Sequence, residues 1–233
     1  MPDLLPVTFY PQARGKPHCI PACIRMVLAY YGSNVSEAKL CHICFTVDEA
    51  PLSTTLKWIN KTVYWNYFRS KVFRRCLHPL VRRFKLLEKW TFQECQYEGT
   101  SINGAIRGLT SNGFNVDLWC HDSIVAGIKS HLPHHIYPSI DALCDRIHSL
   151  SSSSAAIEQL SLTLAAKEPV VTFIRILDDP EPSHAVVVVG IDSSKVYVYD
   201  PASEMLDKPS YYNYDTFLQM WAGTQFTALV VKP

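Results

Sequence analysis

The chain has 233 residues, of which 48% are hydrophobic and 12% aromatic, so it is long and apolar enough to bury one sizeable core. A formal net charge of +1 leaves no overall charge excess, which disfavours nucleic acid or an anionic membrane as the partner. The longest apolar run, residues 185–191, is far too short to cross a bilayer. We therefore expect one domain spanning residues 1–233 and no membrane association.

The chain start and the cysteine content indicate a compartment. Residues 1–8 have neither the basic stretch nor the apolar core of a signal peptide, so we expect a cytoplasmic protein. Eight cysteines are scattered along the chain without the density of a disulfide scaffold, which favours reduced thiols. A reducing compartment also suits a cysteine that works as a thiolate.

The N-terminal half is predicted to be mainly helical. Residues 1–18 contain several Pro and Gly residues and are expected to be extended. Apolar residues then recur at helical spacing from Cys19, and Gly32 ends this helix. Ser36 is a favourable N-cap for a second helix that runs to Cys44.

Residues 47–97 are aromatic and basic, and their pattern predicts two helices broken near Pro79. The cations are concentrated between Arg69 and Lys89. Such a stripe is most often a solvated helical face. The alternative is a docking surface for an acidic partner or for nucleic acid, with the acidic partner favoured, formed by Arg69, Arg74, Arg75, Arg82 and Arg83.

The middle of the chain is predicted to hold a helix over 100–109 and a strand over 115–119, joined by an Asn-Gly turn. Residues 121–154 contain prolines and a run of serines, which predicts a surface excursion carrying a short helix over 140–150.

Beyond residue 154 the pattern changes from helical to alternating. A helix over 155–166 precedes strands over 169–177, 185–191, 196–200 and 226–231. A helical N-terminal half packed on a C-terminal antiparallel sheet is an α+β fold, and this is the fold class that we predict.

Four residues suited to nucleophilic catalysis occur along the chain. Cys19 opens a helix, where the macrodipole stabilises a thiolate. His184 precedes a buried strand and Asp200 ends the next one, so an imidazole and its orienting carboxylate are available. Gln12, seven residues before Cys19, carries an amide that can donate to a developing oxyanion.

The predicted hairpin leaves a gap between His184 and Asp200. A tight turn centred between Ser193 and Ser194 would place Asp200 opposite Val187, roughly 10 Å along the strand from His184. Sheet twist, a bulge near Gly190, or displacement of Asp200 by the following proline must close this distance.

The run from Gln12 to Gly32 resembles the signature of the bacteriocin-processing, double-glycine leader peptidases and their stand-alone relatives, which are papain-like. The matching positions are Cys19, Pro21, Ala22, Cys23, Met26, Val27, Tyr31 and Gly32. Four further segments resemble later landmarks of the family in the same order, beginning at Gly99, Glu168, His184 and Asp200, and a fifth begins at Phe217.

This resemblance implies a papain-like cysteine peptidase fold, with catalytic Cys19, general base His184, orienting Asp200 and oxyanion donor Gln12. It also implies that residues 47–97 are an insertion, because the family's Gly-Thr-Ser segment arrives here only at residue 99. No metal or organic cofactor is implied.

The leading hypothesis is a cysteine peptidase that cleaves a peptide or protein through a thioester at Cys19. An acyltransferase or deamidase with the same Cys-His-Asp site is an alternative, since only the acceptor differs. Another is a non-catalytic protein-binding module, favoured by His18 and Ile20 where the family has Asp and Gly beside the cysteine.

A zinc site is disfavoured. Cys41 and Cys44 have a metal-like spacing, but no second close pair follows to complete four ligands. The remaining residues considered as ligands are scattered: Cys76, Cys95, Cys120 and His121.

Overall fold

The structure is a computed structural model, and it describes residues 3–46, 99–100, 102–125, 146–175, 183–204 and 208–233. The aromatic and basic segment predicted at 47–97 lies outside these residues, as does most of the excursion predicted at 121–154. Within the described ranges, no helix is long and apolar enough to cross a membrane.

The described helices are α1 (Cys19–Tyr30), α2 (Glu37–Ile43), α3 (Ile102–Ser111), α4 (Ser153–Ala165) and α5 (Tyr214–Ala222). Helix α1 is largely buried because its apolar residues cover most of its circumference. Helix α2 begins where the Ser36 side chain accepts the backbone N–H of Lys39 at 3.3 Å, as predicted for an N-cap. Ser152 caps α4 in the same way.

The described strands are β1 (Asn115–His121), β2 (Ile147–Leu150), β3 (Val170–Arg175), β4 (Ser183–Ile191), β5 (Lys195–Tyr199), β6 (Ser210–Asn213) and β7 (Ala228–Lys232). They form one sheet in the order β2-β1-β7-β3-β4-β5-β6. Strand β4 lies inside the sheet and Val186–Val189 are fully buried, which explains why it is apolar on both faces.

The predicted α+β fold is confirmed. The C-terminal strands pair antiparallel, and α1 packs against β4 and β3. The sheet also contains one parallel pair, β1 with β2.

The predicted helix over 140–150 is wrong for its last residues, because Ile147–Leu150 form strand β2. Leu118 of β1 lies opposite Ile147, and His121 lies opposite Leu150. The sequence spacing of this short segment fits a helix turn as well as a strand. Pairing with β1 decides between them, since tertiary contacts override local propensity in short segments.

Candidate active site

Helix α1 begins at Cys19 and carries the thiol at its N-terminal end. His18 occupies the N-cap position, and its side chain makes no capping hydrogen bond to the helix. The first turn contains no acidic residue, so no carboxylate competes with a negative sulfur for the positive end of the helix. Cys19 is half-buried. This position favours a thiolate.

His184 and Asp200 meet at one end of the β4–β5 hairpin. Nε2 of His184 lies 2.7 Å from Oδ1 of Asp200. Their side chains are only 16% and 22% exposed, so solvent screens the pair weakly. The Asp200 carboxylate also accepts the backbone N–H of Ala202 at 2.8 Å, which fixes its orientation. Because Nε2 is bonded to Asp200, Nδ1 is the ring nitrogen left for Cys19.

A β-bulge closes the gap that a regular hairpin would leave between these residues. Tyr197 pairs with Gly190, but Val198 pairs with Val188, so Val189 is an extra residue on β4. Tyr199 consequently lies opposite Val187. The next residue, Asp200, is therefore brought one position closer to His184, within reach of its side chain.

The N-terminal segment holds this bulge in place. The backbone N–H of Leu5 donates to the carbonyl of Val189 at 2.8 Å. A Cβ on Gly190 would lie 2.4 Å from Cδ2 of Leu4, so the missing side chain makes room for the segment.

The Cys19 thiol has a lowered pKa. Burial alone would raise it, but the hydrogen bond to His184, the charge of His184 and backbone hydrogen bonds from Ala185 and Ile20 outweigh burial. The sulfur is thus stabilised as an anion by an imidazole and by two backbone N–H groups.

The His184 imidazole has a raised pKa. Burial lowers it, but the hydrogen bonds to Asp200 and Cys19 and their negative charges bring the pKa of His184 to about 9. Burial pushes the pKa of Asp200 upward, whereas its hydrogen bond to His184 gives a net lowering. The lowered pKa of the thiol and the raised pKa of the imidazole together favour a thiolate beside an imidazolium, with the carboxylate orienting the ring.

Both backbone groups of Ala185 contact helix α1. Its N–H donates to the Cys19 sulfur, and its carbonyl accepts the Cys23 thiol at 3.3 Å. Strand β5 ends at Tyr199, before it reaches Ala185, so these groups have no partner strand on that side. The sequence analysis missed Ala185, because a backbone contribution leaves no side-chain signal.

Gln12 lies beside the site on the segment before α1. Its backbone N–H donates to the carbonyl of Pro201 at 2.8 Å, next to Asp200. Its side-chain Nε2 donates to the Lys16 carbonyl at 3.0 Å. Oε1 is buried and has no hydrogen-bond partner among the described residues. The turn between Gln12 and Cys19 closes through the Lys16 N–H and the Ala13 carbonyl at 3.0 Å.

One cluster of described side chains has the composition of a metal site. The ligand atoms of His18, Glu37 and Cys41 all lie within 4.8 Å of one another. However, Oε1 of Glu37 already accepts two hydrogen bonds, from His18 Nδ1 at 2.8 Å and from the Ala13 N–H at 3.0 Å. Hydrogen bonds therefore account for the arrangement without an ion.

Neither Cys44 nor Cys120 belongs to the described group of side chains close enough to share a metal ion, which consists of His18, Glu37 and Cys41. Cys44 is fully buried, and burial raises its pKa to about 12. Cys120 is also buried, with a pKa of about 11. Cys76 and Cys95 lie outside the described residues.

A family model described as the Peptidase_C39 like family matches residues 4–229. The chain belongs to that family. The match to the Peptidase_C39 like family includes the elements that carry the thiol, the imidazole and the carboxylate. The fold brings these three groups together from both halves of the chain. No curated protein sequence matches the chain.

Three solved structures are similar to this Peptidase_C39 like chain. A C39-like peptidase from Bacillus anthracis is 14% identical, with 100% of this chain and 98% of that one covered, at a TM-score of 0.55. The peptidase domain of Streptococcus ComA, a bi-functional ABC transporter, is 14% identical, with 96% of each chain covered and a TM-score of 0.45. The double glycine motif protease of an AMS/PCAT transporter, in complex with the leader peptide, is 13% identical, with coverage of 99% and 94% and a TM-score of 0.45.

Two residues beside Cys19 differ from the motif to which the chain was compared, and the fold accommodates both. Ile20 is 4% exposed and belongs to the hydrophobic core, so its bulk points away from solvent. His18 is buried against Glu37. The partner Glu37 was missed in the sequence, where it reads only as an acidic residue in the first turn of α2.

Proposed function

We propose that this protein is a cysteine peptidase whose nucleophile is Cys19, with His184 and Asp200 completing a catalytic triad. One observation carries the proposal: the Cys19 thiol, the His184 imidazole and the Asp200 carboxylate form a continuous hydrogen-bonded series, in which the pKa of the thiol is lowered and that of the imidazole is raised. Perturbations in these directions characterise an activated thiol.

In the proposed reaction the Cys19 thiolate attacks the peptide carbonyl carbon and forms a carbon–sulfur bond. The oxyanion intermediate collapses, the carbon–nitrogen bond breaks, and His184 gives its proton to the leaving amine. A water molecule then attacks the thioester while His184 takes its proton. Release of the acid regenerates the thiolate, and Asp200 keeps the imidazole oriented throughout.

The oxyanion is proposed to be bound by the Gln12 amide and the Cys19 backbone N–H. The Gln12 backbone is tied to Pro201, which supports its placement on the same wall as Asp200. One hydrogen of the Gln12 amide goes to Lys16. The second hydrogen is the donor that we assign to the oxyanion.

Labelling with an electrophilic thiol probe, followed by mass mapping, tests the nucleophile. We expect Cys19 to react at neutral pH faster than every other cysteine, and the labelled protein to be inactive on peptides. Product analysis in the presence of water alone, or with added amine, separates hydrolysis from acyl transfer or deamidation. An inert Cys19, with no turnover, would instead support a protein-binding module.

A peptide or protein is the substrate class that we propose. The similar AMS/PCAT protease was solved in complex with the leader peptide, so peptides are the first substrates to test. The basic residues of segment 47–97 are proposed to bind an acidic part of a protein substrate. Charge reversal at Arg69, Arg74, Arg75, Arg82 and Arg83 should slow cleavage of the protein substrate in a salt-sensitive way, yet spare a short peptide.

We place the reaction in the cytoplasm. Four of the described cysteines, Cys19, Cys23, Cys44 and Cys120, are free thiols, which supports a reducing compartment. Localisation of a tagged full-length chain, followed by fractionation, tests this; recovery with the membrane or the medium would contradict it.

A further inference from the structure

The loop between Gln12 and Cys19 determines how the proposed oxyanion donor stands relative to the nucleophile. Its backbone reverses in a turn closed by Lys16 and Ala13, with Gly15 at a φ of +70°. The positive φ at Gly15 lets the reversal occur without strain. The hydrogen bond that closes the turn joins only residues of the loop. It therefore does not fix the distance between the loop and helix α1.

One carboxylate oxygen links the two ends of this loop. Oε1 of Glu37, in the first turn of α2, accepts the N–H of Ala13 at 3.0 Å and faces Nδ1 of His18 at 2.8 Å. Ala13 directly follows Gln12, and His18 directly precedes Cys19. The two bonds therefore hold the neighbour of the oxyanion donor and the neighbour of the nucleophile to a single atom.

The surroundings strengthen the His18 half of this link, whereas the Ala13 N–H donates to Glu37 at the exposed side of the loop. The side chains of His18 and Glu37 are 11% and 17% exposed, so their hydrogen bond is only weakly screened. Charge-assisted hydrogen bonds of this kind are shorter and stronger than neutral ones. The donors converge on Glu37 from both ends of the loop, and a shift of either end would break one of them.

We propose that Glu37 is a positioning residue that sets the distance between the Gln12 amide and the Cys19 sulfur by binding residues 13 and 18 together. The proposal rests on the proposed function, since it concerns the oxyanion donor of that reaction. Glu37 acts through Ala13 and His18 and does not touch the reacting atoms.

The test compares two reactions of the same sulfur in the full chain. Alkylation by iodoacetamide needs the thiolate but forms no oxyanion, whereas acylation by 4-nitrophenyl acetate passes through one. The ratio of the acylation rate to the alkylation rate therefore reports the oxyanion donor alone. In Glu37→Ala we expect this ratio to fall by about 10- to 100-fold, the range of losses from a displaced or missing oxyanion group.

Two variants control the comparison. Glu37→Gln keeps an oxygen that can accept both hydrogen bonds without the charge, so its ratio should lie between wild type and Glu37→Ala. Ser36→Ala removes the N-cap of the same helix without touching the loop, and should leave the ratio unchanged while lowering the thermal midpoint. Should Glu37→Ala fail to fold, the ratio measured for Glu37→Gln decides.

Several outcomes would overturn the proposal. An unchanged ratio in Glu37→Ala, an equal fall in Ser36→Ala, or a parallel fall of both rates would each remove the positioning role. If a chelator lowered the acylation-to-alkylation ratio of wild-type protein and Zn²⁺ restored it, the cluster of His18, Glu37 and Cys41 would be a metal site instead. If wild-type Cys19 is alkylated but never acylated, the proposed function itself fails, and this result is distinct from failure of the Glu37 role alone.

Discussion

The first and second turns of helix α1 carry the same functional group in opposite states. Cys19 and Cys23 both contact the backbone of Ala185, one at its N–H and the other at its carbonyl. The pKa of Cys19 is lowered, whereas burial and the nearby charges of Cys19 and Asp200 raise the pKa of Cys23 well above its ordinary value. Membership of one helix therefore does not activate a thiol.

The difference comes from what each sulfur faces. Cys19 meets donors, namely an imidazole and two backbone N–H groups, which stabilise a negative charge. Cys23 is fully buried, and its thiol donates a hydrogen bond to a carbonyl oxygen, so none of the described groups around it stabilises a negative sulfur. One turn of helix thus separates the proposed nucleophile from a packing residue. The variants below test each part of this contrast.

The largest expected effect is at the first turn. Cys19→Ser should abolish peptide cleavage, by more than about 10³-fold, because loss of a nucleophile removes the covalent route. The fold should persist, since the side chain changes by one atom. Activity measured beside Cys23→Ser is the control; equal losses in the two variants would break the contrast between the turns.

His184→Ala should be nearly as damaging and should make Cys19 behave more like Cys23. Burial of Cys19 would persist while the lowering by His184 disappears, so the midpoint of its alkylation profile should move to higher pH. The rate of iodoacetamide labelling against pH, with mapping of the labelled residue, measures this. A profile that does not move would mean that the imidazole does not stabilise the thiolate.

Asp200→Asn should leave a weaker enzyme with a different upper pH limit. In the proposed mechanism the imidazolium is the active form, so wild-type activity should fall as pH rises through about 9, the pKa of His184. Without the carboxylate the imidazolium loses stabilisation, so this fall should begin at lower pH. The loss at neutral pH should stay below the roughly 10⁴-fold seen for a serine triad with a wrong tautomer, because Asn Oδ1 still accepts the ring N–H.

The two activity profiles must be measured with the same peptide at constant ionic strength. Coincident upper limbs in wild type and Asp200→Asn would show that Asp200 does not set the protonation of His184.

The smallest effect belongs to the second turn. Cys23→Ala should leave Cys19 reactive and should lower the free energy of unfolding by about 1 kcal/mol, through a small cavity and one lost hydrogen bond. Denaturant unfolding and Cys19 alkylation, measured on the same preparation, check this. A large loss of Cys19 reactivity in this variant would show that Cys23 contributes to the site, contrary to the packing role assigned to it here.

The sequence was sufficient for the α+β class, the start of α1 at Cys19 and the cap of α2 at Ser36, because periodicity and capping are local. It also selected His184 and Asp200, which the fold places 2.7 Å apart. Their roles in catalysis remain predictions.

What the sequence did not reveal depends on contacts distant along the chain. Strand β2 forms only because β1 is there to pair with it, and Glu37 is recognisable as part of the site only when α2 lies against the loop at residues 13–18. Ala185 contributes through its backbone, and no residue type signals that. The sequence left three possible ways to bring His184 and Asp200 together, of which the bulge is the one found. It could not select the bulge, because packing decides the register of paired strands.

That extra residue at Val189 has an effect on orientation as well as on reach. Successive side chains of a strand alternate between the two faces of a sheet, and directly opposite residues share a face. Opposite Val187, Asp200 would project from the face that His184 does not use. Opposite Val186, two residues from His184, it projects from the same face. If Val189 instead paired with Val198 in a regular ladder, the two side chains would lie on opposite faces of the sheet, although Cys19, His184 and Asp200 would all remain in the chain.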